Sequence, residues 1–228
     1  MNISDLHIAF KVELDKNSSG YAFAGNPAFL PEEIDYWLNK ALIQTIVTKF
    51  TGNNSLQQPF ESSVKRTADL EKLVITEKNL VLVFDPTSNT VTLSDFSNGV
   101  DNTIRMFYVQ STLCFGTKKA GVDLVNHDQA KRFLKTYNNN PWIATPVGTL
   151  GNDALTIFID TVTMLSPFTL ELTYVRQPNK LDYTNLTELT DAPTYVYNEV
   201  VGLAVTLALD NIESKRIETK LELNKITE

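Results

Sequence analysis

Apolar residues recur at helical spacing towards both ends of the chain and at alternate positions through its middle. Leu6, Phe10 and Leu14 fall on one face of a first helix, with Asn2 or Ser4 placed to cap it. Residues 17–26 hold Ser18, Ser19, Gly20 and Gly25 and read as a loop. From Leu30 the run LPEEIDYWLNKALIQTIVTKF carries a stripe of Ile34, Leu38, Ala41 and Thr45, widened by Trp37, Leu42 and Ile46. Pro31 suits a first helical position, where a missing N–H costs nothing. Glu32, Glu33 and Asp35 occupy the first turn, which the helix dipole makes favourable for negative charge. Gly52, Asn53, Asn54 and Ser55 break this helix, and Pro59 opens another in which Phe60, Val64, Thr67 or Ala68, and Leu70 or Val74 keep the period. Residues 30–74 therefore read as a helical hairpin. Glu61–Lys65 and Lys65–Asp69 are i,i+4 pairs that mark its wet face.

From Asn79 the period becomes two. NLVLVF and TVTLSD flank Asp85-Pro86-Thr87-Ser88-Asn89, a hairpin-type turn, and Asn98-Gly99 precedes a long strand over residues 103–116. There Phe107, Val109, Leu113 and Phe115 share one face, with Met106, Tyr108 and Cys114 on the other. A short helix through AKRFLKTY starts near Asn126–Asp128, and ALTIFID and FTLELTYVRQP read as two further strands, the second ended by Pro178. The spacing then predicts a last helix from Val196 to Asn224. Val196, Val200, Leu203 and Leu207 form one stripe, and Val201, Ala204, Ala208 and Ile212 a second. After Ser214 it becomes charged except for Ile217, Leu221, Leu223 and Ile226. A stripe that narrow does not make the core of its own domain, so this half is expected to dock on a neighbouring subunit. The pattern as a whole predicts an α+β fold. Residues 1–75 and 185–228 form a helical bundle, and residues 76–184 an inserted antiparallel β-sandwich-like lobe with one short helix.

Composition narrows the picture. With 228 residues, 43% of them hydrophobic and 21% charged, the chain can bury a core and form one large domain or two lobes. Cys114, alone, excludes an internal disulfide or a cysteine-based zinc cluster and suits a reducing cytoplasm. The amino terminus lacks a signal-peptide core, and no apolar run approaches the ~20 residues that span a bilayer. A soluble protein with no membrane partner is expected. The net charge of −7 argues against general nucleic-acid affinity. The stretch from Leu186 to Glu228 alone holds eight acidic and four basic residues. Such a surface suits DNA that must slide past without sticking.

Candidate chemistry is sparse. His127-Asp128 can be read as an acid–base pair, but better as the start of the short helix. Cys114 reads as a buried, inert thiol. Gly116-Thr117-Lys118-Lys119-Ala120-Gly121 lacks the Gly-Lys-Ser/Thr ending of a phosphate loop and reads as a strand-connecting turn. Asp153, Asp160 and Glu171 are the carboxylates available for glycoside hydrolysis. Trp142 with Tyr137 would be the start of a sugar-binding face, which makes a carbohydrate- or host-surface-binding module the alternative function. No catalytic constellation, cofactor site or metal site stands out, and an enzyme is not expected.

The run Phe29-Leu30-Pro31-Glu32-Glu33-Ile34-Asp35-Tyr36-Trp37-Leu38-Asn39-Lys40-Ala41 resembles a helix signature of ring proteins from the neck of crAss-like bacteriophages. Phe60-Glu61 with Lys65-Arg66-Thr67-Ala68-Asp69-Leu70 is similar to the next block of that family. So are Pro141-Trp142-Ile143 and Leu172-Thr173-Tyr174-Val175-Arg176-Gln177-Pro178, and the run from Asn198-Glu199-Val200-Val201 through Ala208-Leu209 to Ile212-Glu213-Ser214 and Arg216. The resemblance spans most of the chain, and none of its motifs is a catalytic fingerprint. It implies a virion structural protein, assembled in the host bacterial cytoplasm, that closes into a homo-oligomeric ring, commonly of twelve copies. Its partners would be further copies of itself, the portal protein and neighbouring neck and tail rings, with DNA passing through the lumen without specific binding. Trp37, Arg216, Ile217, Lys220 and Leu221 are the expected subunit-contact residues.

Overall fold

The computed structural model describes residues 2–17, 29–52, 64–85, 88–99, 103–135, 141–159, 168–186 and 188–212. The chain divides into two compact units, Met1–Leu73 with Pro178–Glu228, and Val74–Gln177. The first is helical and the second is built on two sheets, an α+β fold with a sheet lobe. The unit limits lie at 73 and 178, where 75 and 185 were expected. Pro178 ends the last strand, and the residues after it fasten onto a helix.

In the helical unit, α1 (Ile3–Asn17) is capped by Asn2. Its Oδ1 accepts the Asp5 N–H at 2.8 Å, while Asp5 Oδ2 accepts the Asn2 N–H at 2.9 Å. Ile3, Leu6, Phe10 and Leu14 are buried, as their spacing requires. Helix α2 (Pro31–Thr51) begins at the proline and stops at Gly52, whose φ of 75° is a left-handed conformation favouring glycine. Glu33 Oε2 turns back to accept the Leu30 N–H at 2.9 Å. Ile34, Leu38, Ala41, Leu42 and Ile46 face inward.

The third helix departs from expectation. Pro59, Phe60 and Glu61 lie outside the described residues. Helix α3 covers Val64–Leu70 and tightens into a 3-10 turn over Glu71–Leu73. Val64, placed on the apolar stripe by spacing, is exposed, whereas Asp69, placed on the wet face, is buried. The helix does not reach Val74, which starts a strand.

Helix α5 (Thr194–Ile212) packs along α2 and on α1. Its buried face is Val196, Tyr197, Val200, Val201, Ala204, Val205 and Ala208, while Leu203 and Leu207 are only half-buried. Tyr197 and Val205 therefore take the inward places that the stripe assigned to the two leucines. The expected continuation to Asn224 lies outside the described residues.

The sheet unit stacks two layers. One sheet has the order β1-β9-β4-β5, with β1 at Val74–Val81, β4 at Arg105–Phe115, β5 at Lys118–Gly121 and β9 at Phe168–Arg176. The other has the order β2-β3-β8-β7-β6, with β2 at Val83–Asp85, β3 at Thr90–Leu93, β6 at Asp123–Leu124, β7 at Val147–Gly151 and β8 at Ala154–Phe158. All named pairs are antiparallel except β6–β7, which is parallel. Leu113, Leu170, Leu172 and Tyr174 of the first sheet share one apolar core with Val91, Leu155 and Ile157 of the second. The segment read as a single strand, NLVLVF, is split. The chain leaves the first sheet at Val81, buries Leu82 and enters the second at Val83.

On β4 the register shifts between Arg105 and Phe107 and again between Tyr108 and Gln110. Each bulge resets the alternation. Tyr108 therefore joins Leu113 against the core and bonds Ser111 Oγ at 2.9 Å, where strict alternation had put it on the opposite face. Helix α4 (His127–Lys135) follows β6, as the sequence predicts.

Candidate functional site

Among the described residues, two straps and one ion pair hold His7 and the buried charged side chains. The first strap joins α1, α2 and the segment after Pro178. His7 Nε2 lies 2.8 Å from Asp35 Oδ1, and Asp35 Oδ2 accepts the Tyr183 N–H at 2.9 Å. The His7 and Tyr183 rings stack at 4.5 Å. One turn along α2, Asn39 reads the backbone of Leu181 on both edges. Its Nδ2 donates to Leu181 O at 2.8 Å, and its Oδ1 accepts the Leu181 N–H at 2.8 Å. Asn39 behaves as a strand partner for one residue. Asp191 accepts the Asn179 N–H at 2.5 Å and steadies the same segment.

A groove of 620 Å³ opens beside this strap. Tyr36, Lys40 and Ile43 of α2 form one wall and Lys180, Asp182 and Thr184 the other. Tyr36 is 58% exposed. Two backbone N–H groups and the Asn185 amide hold the Asp182 carboxyl below its ordinary range, the Asn185 backbone bond contributing most. Trp37, expected at a subunit contact, is half-buried on α2 beside this groove. Tyr36 meets it edge-on at 5.0 Å, and Lys40 Nζ stands 5.2 Å over its ring. Arg216, Ile217, Lys220 and Leu221 lie outside the described residues.

The second strap ties α2, α3 and α5. Asp69, 1% exposed, accepts from Lys49 Nζ at 2.7 Å and from Tyr195 Oη at 2.5 Å, while Lys49 also reaches Glu199 at 2.7 Å. Burial pulls the Lys49 ammonium down, and the bonds to Asp69 and Glu199 outweigh it, leaving its pKa raised. The Asp69 bond, then burial, pushes the Tyr195 phenol up to about 12.

In the sheet unit Arg105 pairs with Glu77, both buried, and the Tyr174 hydroxyl donates to Glu77 Oε1 at 2.5 Å. Burial, then the Glu77 bond, raises the Tyr174 pKa. Gly99 closes over this cluster. A Cβ there would collide with Thr103 Oγ1 and the Tyr174 hydroxyl and lie 2.8 Å from Glu77 Oε1. Only glycine lets the backbone come so near.

The carboxylates considered for hydrolysis are tied down separately. Asp153 sits in the β7–β8 turn and accepts both the Ser97 N–H, at 2.6 Å, and the Ser97 hydroxyl. Those bonds hold its pKa below the ordinary value. Glu171 pairs with Lys119 at 2.6 Å, and that bond lowers its pKa too. A glycosidase acid needs a raised pKa. Asp160 and Tyr137 lie outside the described residues. His127 caps no chemistry: it begins α4 and its Nε2 meets Leu150 O at 3.0 Å. Gly116 and Thr117 form the turn between β4 and β5. Cys114 is half-buried on β4 and not enclosed as expected. Among the described residues, no group of three His, Cys, Asp or Glu could hold a metal ion, and no helix is long and apolar enough to cross a membrane.

Sequence reasoning missed both straps. Asn39, a poor helix former in the middle of α2, four residues from Asp35, was the available signal. Asp69 gave none, because Lys65 supplied a ready local partner. No protein-family model matches the chain, and no curated protein matches it.

Proposed function

We propose that the chain is a structural subunit of a phage virion, closing with copies of itself into a ring in the neck between portal and tail and providing a channel for DNA. The observation that carries this reading is the surface of the helical unit. Ile8, 62% exposed, and Val12 one turn on stand outward on α1, as do Leu30 just before α2 and Tyr36 on it. Exposed apolar side chains on packed helices suit a neighbouring protein. The resemblance of residues 29–41 to ring proteins of crAss-like phages falls on that same helix. A net charge of −7 suits a wall along which DNA slides. Native mass by light scattering tests the reading. A closed oligomer, commonly twelve copies, is the expected result, and a monomer that fails to bind portal or tail proteins overturns it.

A second reading, a carbohydrate- or host-surface-binding module, rests on Trp142, which is 61% exposed. A glycan array separates the two. Binding that is lost on Trp142→Ala would favour the module.

A further inference from the structure

We propose that residues 213–228 of one copy dock in the α2 groove of a second copy, an inference that rests on the ring reading above. The direction of α5 is the first ground. Lys49, near the end of α2, bonds Glu199, near the start of α5, and the two helices pack on one another. They therefore run antiparallel. Ile212 lies as many residues beyond Glu199 as Tyr36 lies before Lys49, about 20 Å at the helical rise. So α5 ends level with Tyr36, one turn and a half from the start of α2 at Pro31. The sequence keeps helical spacing past that end, with Ile217 and Leu221 four residues apart. Beyond that level its own α2 offers only the five residues from Pro31 to Asp35, against the sixteen of 213–228. Residues 213–228 contain neither glycine nor proline, so nothing in them favours a reversal back over the same bundle.

The groove supplies what that stripe needs. Tyr36 and Ile43 offer apolar surface, and Lys40 and Lys180 with Glu32 and Asp182 put both signs of charge on its rims. In the segment, Ile217 and Leu221 are flanked by Glu218 and Glu222 on one side of a helix and by Arg216 and Lys220 on the other. The bonds from Asp35 and Asn39 to the backbone of Tyr183 and Leu181 fix one wall before anything docks, which lowers the ordering cost of binding. Groove and segment are different surfaces, so the contact is heterologous and can repeat around a ring.

Disulfide trapping tests this in the full chain. Cys114→Ser clears the native thiol, and Tyr36→Cys with Leu221→Cys places one thiol on each surface. Mild oxidation is expected to give a ladder of covalent multiples on a non-reducing gel, falling to background when either new cysteine is omitted. A cross-linked product of single-chain mass would overturn the proposal, because the segment would then cover its own groove. An oligomer that persists in native mass with no ladder would overturn the docking and leave the ring reading standing. A monomeric unmodified chain would overturn the docking, and one that also fails to bind portal or tail proteins would refute both. Deleting residues 213–228 gives a second readout: native mass is expected to fall while the helical circular-dichroism signal per residue of the remainder holds.

Discussion

The helical unit and the sheet unit both bury charge, and they use it differently. In the sheet unit Glu77 on β1 and Arg105 on β4 meet across β9 within one layer, sealed by Tyr174, Thr103 and the bare backbone of Gly99. The apolar core between the layers is already continuous without them. In the helical unit the polar groups join pieces of chain that are far apart in sequence. Asp69 brings α2, α3 and α5 together, and Asp35 with Asn39 fastens the residues after Pro178 to α2. Three helices present apolar stripes that could slide past one another, and directional bonds fix their register. The sheets already have register from their ladders. A buried charge that only fills a place is costly to expose, and one that acts as a strap has companions to share the loss.

Glu77→Ala is expected to show the larger effect. It leaves the Arg105 guanidinium buried without its counter-charge, and breaking such a pair costs about 3–5 kcal/mol. Urea unfolding followed by tryptophan and tyrosine fluorescence measures it. A loss no greater than that of a surface substitution would show that Arg105 re-solvates and that the sheet unit does not depend on the pair.

Asp69→Ala comes next. It removes two charge-assisted bonds, yet Lys49 keeps Glu199, so the expected loss is about 1.5–3 kcal/mol. The comparison is sharpened by a double-mutant cycle with Tyr195→Phe. Coupling between the two changes is expected, and simple additivity would mean that Asp69 serves Lys49 alone. Asn39→Ala should cost less, about 0.5–1.5 kcal/mol for each bond to Leu181. Its distinguishing sign is local: hydrogen exchange at the Leu181 and Tyr183 amides should quicken, with little change at amides of the β4–β9 ladder.

How far these features could be read in the chain follows from the same contrast. Pro31 and Gly52 bound α2 in sequence and in space, because local backbone chemistry decides a helix end. Stripes such as Leu6-Phe10-Leu14 were equally plain. The strands β5, β6 and β7 went unread, since runs of two to five residues form strands only by pairing, here with β4, β7 and β8 in turn. The Tyr108 bulge was invisible for a related reason: alternation assumes an unbroken ladder, and the partner strand decides where it breaks. Asp69 was misread because a carboxylate at helical spacing from Lys65 looks satisfied on the surface. Its real partners are 20 and 126 residues away. The straps are long-range by nature, and only their odd residue types, such as Asn39, leave a mark on the sequence.

The subtlest expected effect is alkaline. An ordinary phenol ionises near pH 10, whereas the Asp69 bond pushes Tyr195 up to about 12. Between those values the unfolded chain releases a proton that the folded chain keeps, so the stabilisation is whole below pH 10 and drains away as pH climbs towards 12. Lys49 shifts in the same sense, its raised pKa favouring the folded state below the ordinary lysine value and losing that advantage above the folded one. Absorbance at the tyrosinate band should therefore show Tyr195 lagging the exposed phenols, and Tyr195→Phe should remove its share of the late titration. In the sheet unit Tyr174, raised by burial and by Glu77, and Tyr108, raised by burial, lag as well, so Tyr195→Phe isolates the contribution of the helical unit. If Tyr195→Phe left the late titration unchanged, the helical strap would be open in solution and the contrast between the units would collapse.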